Sequence, residues 1–91
     1  MVKLVWDSKF KRKYKSWCKK HPDLVESFRN KMKIFVNNPF HPSLRTHSLS
    51  GVLKGLWSSR ITYAYRLIFK FVDKEKKAAL LIDIGSHDEV Y

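Results

Sequence analysis

The hydrophobic period of this chain changes once, and that change constrains the fold more than any other feature. Phe10, Tyr14, Trp17 and Cys18 recur at the spacing of one helical face, and Leu24, Val25, Phe28, Met32, Phe35 and Val36 continue it. His21-Pro22-Asp23 interrupts the stripe and suits the start of a second helix. From Trp57 the period is two. Trp57, Ser59, Ile61 and Tyr63 alternate with Ser58, Arg60 and Thr62. Tyr65, Leu67, Phe69 and Phe71 alternate with Arg66, Ile68, Lys70 and Val72. A helical period cannot settle as a strand, nor the reverse, so the chain divides into a helical half and a sheet half.

The remaining segments complete the order. Val2–Trp6 is a short β-prone run ended by Asp7-Ser8, a pair able to cap a helix. Pro39–Ser50 has the composition of a loop, and Asp73-Lys74-Glu75-Lys76 that of a polar turn. Ala78–Ile84 is a nearly continuous apolar run suited to a central strand. The expected class is α+β. An N-terminal strand and a two-helix hairpin pack on one face of a mostly antiparallel sheet of four or five strands. Its opposite face would present Arg60, Arg66 and Lys70. The 91 residues are expected to form one domain spanning 1–91.

Charge narrows the partners. Lys and Arg number 19 against eight Asp and Glu, a formal +11. Residues 1–38 carry eleven positive and three negative side chains, and residues 39–72 carry five positive and none negative. Such a balance points to a polyanion, either nucleic acid or an acidic protein. Lys11, Lys13 and Lys15 on the first helix, Lys54 beside Gly55 in a turn, and Lys70 are the candidate phosphate contacts. The longest apolar stretch falls far short of the roughly 20 residues that span a bilayer, and the start lacks the apolar core of a signal peptide. A cytoplasmic protein with no membrane role is the expectation.

Several chemistries are absent from the pattern. There is no glycine-rich phosphate loop, no HExxH and no CxxC, and Cys18 is the only cysteine. His21, His41, His47 and His87 lack the short paired spacing of a zinc site. No carboxylate falls between Glu26 and Asp73, which leaves no acid cluster for a two-metal nuclease. No metal and no cofactor are therefore expected. RNA cleavage without metal needs a base for the 2′-hydroxyl, cations for the phosphoryl oxygens and an acid for the 5′-oxygen. His47, Arg60, Arg66, His87 and Tyr91 are the candidates, because histidine titrates near neutrality and arginine forks onto phosphate. His21 and His41 read as solvated. Neither Arg66 nor His87 belongs to an apolar stripe, so neither is expected to hold up the fold.

Three segments carry a resemblance. Gly55-Leu56-Trp57-Ser58-Ser59-Arg60-Ile61, Tyr65-Arg66-Leu67-Ile68-Phe69 and Asp83-Ile84-Gly85-Ser86-His87-Asp88-Glu89-Val90-Tyr91 resemble toxins of the RelE/ParE superfamily, in particular its YafQ-like and YoeB-like branches. The match covers Leu44–Tyr91, and in residues 1–43 only the helical-hairpin pattern agrees. The resemblance implies a RelE-like fold, an acidic antitoxin as partner, and cleavage of mRNA in the A site of the 70S ribosome. It implies that His87 is the C-terminal catalytic histidine, a general acid, and that Tyr91 orients the base or the scissile phosphate. Arg66 matches the phosphate-binding arginine of the YoeB-like pattern. His47 falls where one branch has a histidine and the other a glutamate base, and Arg60 stands where YafQ-like toxins have a histidine. Ala64 replaces an aspartate of the YafQ-like set, so the implied site is a hybrid of the two branches. The superfamily's other activities leave two alternatives: a ParE-like gyrase inhibitor without chemistry, and a binding module that has lost activity.

Overall fold

The computed structural model describes all residues from Met1 to Tyr91, and the change of period falls at the boundary between its two layers. The helical layer holds α1 (Ser8–Lys20) and α2 (Val25–Asn37). Asp7 caps α1, its carboxylate accepting from the Phe10 amide at 2.8 Å. Lys19 and Lys20 close the last turn, where cations offset the exposed carbonyls. A 3₁₀ turn at Pro22–Leu24 then reverses the chain into α2. Both stripes point inward. Phe10 and Trp17 of α1 and Phe28, Met32 and Phe35 of α2 are buried. Neither helix is long and apolar enough to cross a membrane.

The sheet layer has five strands in the order β1-β5-β4-β3-β2. These are β1 (Lys3–Val5), β2 (His47–Ser48), β3 (Trp57–Arg60), β4 (Tyr65–Phe71) and β5 (Ala78–Ser86). The last three form an antiparallel meander, and β1 lies parallel to β5. That parallel pair needs a long crossover, which the helical hairpin begins. Leu67, Phe69, Ala79 and Leu81 face the helices and are fully buried. A bulge lies between Ile68 and Phe69, which pair with Asp83 and Leu81. Strict alternation after Leu81 would turn Asp83 into the core. The extra residue on β5 turns Ile84 inward instead, while Asp83 meets Lys13 at 3.4 Å.

Two expectations need correction. The strand expected to run from Trp57 to Tyr63 stops at Arg60, and Tyr63 stands 84% exposed at the tip of a turn. The segment Pro39–Ser50 is not wholly loop, since His47 and Ser48 pair with β3. A short edge strand leaves little periodicity to detect.

The central ring of the core is Phe69, edge-on to Phe35 at 4.9 Å and to Phe71 at 5.2 Å. Phe69→Ala should cost about 3–5 kcal/mol, as large-to-small changes in a packed core do. Urea melts of the two proteins would measure this, and a loss under 1 kcal/mol would contradict the packing described.

Candidate functional site

Strand pairing brings the candidate residues to one face. His47 pairs with Ser58 and Ser58 with Ile68, while Arg60 pairs with Arg66 and Arg66 with Gly85. Residues directly opposite share a face, as do those two apart on a strand. His47, Arg60, Arg66 and Lys70 therefore all belong to the side away from the helices. No acidic side chain pairs with any of them.

The chain then doubles back onto this face. β5 runs directly into α3 (His87–Val90), a single turn that could not persist alone. Its start is fixed by reciprocal capping: the Ser86 hydroxyl accepts from the Glu89 amide at 3.3 Å, and the Glu89 carboxylate accepts from the Ser86 amide at 2.8 Å. Those bonds, first to the Ser86 backbone and then to its side chain, hold the Glu89 carboxyl below its ordinary range. Gly85 leaves room for the fold-back. A Cβ there would lie 3.2 Å from both Glu89 Cβ and Val90 Cγ1. The Tyr91 hydroxyl donates to Ser58 Oγ on β3, and its ring meets His87 edge-on at 4.5 Å.

Each side chain has its own environment. His47 Nδ1 lies 2.9 Å from the Arg45 carbonyl. A carbonyl only accepts, so Nδ1 carries a proton, and in the neutral ring the lone pair is then on Nε2, the tautomer a general base at that nitrogen requires. His87 is largely exposed, with Asp88 3.6 Å from its Nδ1. Arg60 lies over the Tyr63 ring at 5.3 Å. Arg66 corrects one expectation, because it does support the fold. Its Nη1 donates to the carbonyls of Thr62, Tyr63 and Tyr65 at 2.8, 3.0 and 3.1 Å. It fastens the β3–β4 turn and leaves its other N–H groups for a ligand, so its loss would cost roughly 1–2 kcal/mol of stability.

The candidate lysines do not converge. Lys70 lies on β4 with Arg66, whereas Lys11, Lys13 and Lys15 belong to α1 and Lys54 follows a 3₁₀ turn at Gly51–Leu53. Lys13 lines a cleft of about 280 Å³ beside α3, with Lys20, His21, Asp83 and Glu89. His21 is not the solvated bystander expected from sequence. Its ring packs 4.6 Å from Tyr65 and 5.5 Å from Trp17, with Nδ1 3.5 Å from the Tyr65 hydroxyl. Sequence reasoning also missed Ser58 and Gly85. The Ser86-x-x-Glu89 spacing was the one available signal for the capped turn.

Two helices on a five-stranded mixed sheet is the fold of the RelE/YoeB-type toxins. Superposition with solved structures shows this directly. YafQ from E. coli strain BL21(DE3) matches all of this chain and 99% of its own, at TM-score 0.78 and 20% identity. A YoeB/ParE toxin from Agrobacterium tumefaciens matches 94% of this chain and 99% of its own, at TM-score 0.74 and 24% identity. The toxin of the E. coli DinJ–YafQ toxin–antitoxin complex matches 99% of this chain and 97% of its own, at TM-score 0.75 and 21% identity. No protein-family model and no curated protein sequence matches the chain.

The Glu89 cap carries a pH dependence with a defined sign. Its carboxyl is held low in the folded protein, so the stabilisation is present above the ordinary carboxylate range. It is lost as pH falls through the lowered value. Acid should therefore release α3, seen as loss of the His87–Tyr91 contact in NMR spectra. Glu89→Gln keeps an acceptor that does not titrate, and that acid step should disappear. An identical acid response in both proteins would rule out this carboxylate as the cause.

Proposed function

We propose that this protein is the toxin of a type II toxin–antitoxin pair, a metal-independent and ribosome-dependent mRNA endoribonuclease acting in the cytoplasm. The observation that supports this most is the return of α3 over Gly85, with Tyr91 bonded to Ser58, the strand partner of His47. Both histidines then border one basic face bearing Arg60 and Arg66. In the proposed reaction His47 Nε2 takes the 2′-hydroxyl proton as the 2′-oxygen attacks phosphorus. Arg60, and the free N–H groups of Arg66, stabilise charge on the phosphoryl oxygens. Protonated His87 gives its proton to the departing 5′-oxygen, leaving a 2′,3′-cyclic phosphate. Tyr91 orients the site, and the lysines of α1 with Lys54 and Lys70 hold ribosomal RNA and mRNA.

The proposed partner is an acidic antitoxin. Fold relatives solved with an antitoxin, the DinJ–YafQ complex among them, support a protein partner. So does an apolar cleft of about 400 Å³ lined by Leu4, Trp6, Phe28, Met32, Arg29 and Lys33. Arg29 and Lys33 lie four residues apart on α2 and neither has an ion-pair partner. Like charges at that spacing repel by a few tenths of a kcal/mol, which acidic residues of a bound segment would relieve. The double charge reversal Arg29→Glu with Lys33→Glu should weaken the complex at least about tenfold while leaving cleavage intact. Unchanged affinity in titration calorimetry would remove this cleft from the antitoxin interface.

Mapping 5′ ends on mRNA in a translating extract tests the activity. The wild type should create new ends only on translated message, and none when translation is blocked before the ribosome loads. His87→Gln and Arg60→Ala should each lower the cleavage rate by about 10²- to 10⁴-fold. Arg60 is the cleaner arginine probe, since Arg66 also fastens a turn. No new ends, together with inhibited DNA supercoiling by gyrase, would overturn this reading in favour of a gyrase inhibitor.

A further inference from the structure

Ser58 is a polar side chain with no accessible surface, set in a strand between His47 and Ile68. A hydroxyl so buried needs a hydrogen-bond partner, and its partner is the hydroxyl of Tyr91, 33 positions along the chain. Tyr91 itself is 41% exposed, so burial alone does not hold it on this face. α3 is one turn long and needs anchors at both ends. The Ser86–Glu89 cap supplies the first, and the Tyr91–Ser58 bond supplies the second. Between them stands His87, whose ring meets the Tyr91 ring edge-on at 76°. The direction of the His87 imidazole thus depends on Tyr91, and that of Tyr91 on Ser58.

We infer that Ser58 is a positioning residue, which through Tyr91 aims His87 at the arginine-bearing face. The inference rests on the proposed nuclease reading for its catalytic consequence, though not for its geometry. It also narrows the role of Tyr91. Its one phenolic proton is donated to Ser58 Oγ and is not available to a leaving oxygen, so Tyr91 orients His87 and leaves proton transfer to it. The alternative is that Ser58 is there only because it is small, leaving space beneath the Tyr91 ring. Ser58→Ala separates the two, because it keeps the space and removes the oxygen.

The test combines cleavage rates with the NMR signals of the His87 ring, which the adjacent Tyr91 ring shifts. Ser58→Ala and Tyr91→Phe should each lower the cleavage rate about tenfold, with KM little changed, as misplacement of a reacting group does. The double variant should be no slower than either single one, because both remove the same bond. In all three the His87 ring signals should move toward those of an unstructured histidine. Tyr91→Phe removes only the hydroxyl of a part-exposed residue and so reports even if Ser58→Ala folds poorly. His87 signals unmoved by Ser58→Ala and by Tyr91→Phe would overturn the inference. Should the protein cleave no RNA at all, moved His87 signals would still support the positioning role while the nuclease reading fails.

Discussion

Pairing between β4 and β5 is the constraint on which the rest of the molecule depends. It is the longest pairing in the sheet, running from Tyr65 opposite Ser86 to Phe71 opposite Ala79. Its helix-facing residues Leu67, Phe69, Ala79 and Leu81 are fully buried. A slip of one residue would turn all of them outward, so the register is strongly specified. The same register puts Arg66 opposite Gly85 and leaves Ser86 at the strand end to cap α3. Core packing on one face thus decides which side chains meet on the other.

That other face carries the positive charge. Arg60, Arg66 and Lys70 have no carboxylate partner, so their mutual repulsion is relieved only by solvent, by backbone carbonyls or by a bound anion. Arg66 takes the second route and thereby stiffens the turn that presents Arg60. The acids that do lie near this end are occupied. Glu89 caps α3, and Asp83 bonds the Ile84 amide at 2.9 Å while meeting Lys13. The face therefore keeps a positive field beside a histidine-bearing turn, a combination suited to phosphate chemistry.

Much of the fold is legible in sequence because its apolar residues obey one period at a time. Phe10, Trp17, Phe28, Met32 and Phe35 gave the helical faces correctly, and Leu67 and Phe69 gave the inward side of β4. Failures occurred where local pattern was weak or was overridden. Tyr63 continued an alternation that a turn had already ended, and a two-residue strand at His47 left no pattern at all. His21 looked solvated because its contacts with Tyr65 come from a segment 44 positions away. At the site, sequence proposed residue types but not their assembly. Ser58 was one even-numbered serine among others until the fold-back of α3 brought Tyr91 to it. Gly85 mattered for the side chain it lacks.

The account turns on that fold-back, and nuclear Overhauser contacts in isotope-labelled protein at neutral pH test it most directly. Cross-peaks should join the Tyr91 ring protons to the Ser58 β protons, and the Val90 methyls to the Gly85 α protons. Both sets present would confirm that α3 closes over the arginine-bearing face. Their absence, with Gly85 contacting only its strand neighbours and Tyr91 showing the sharp signals of a free tail, would contradict it.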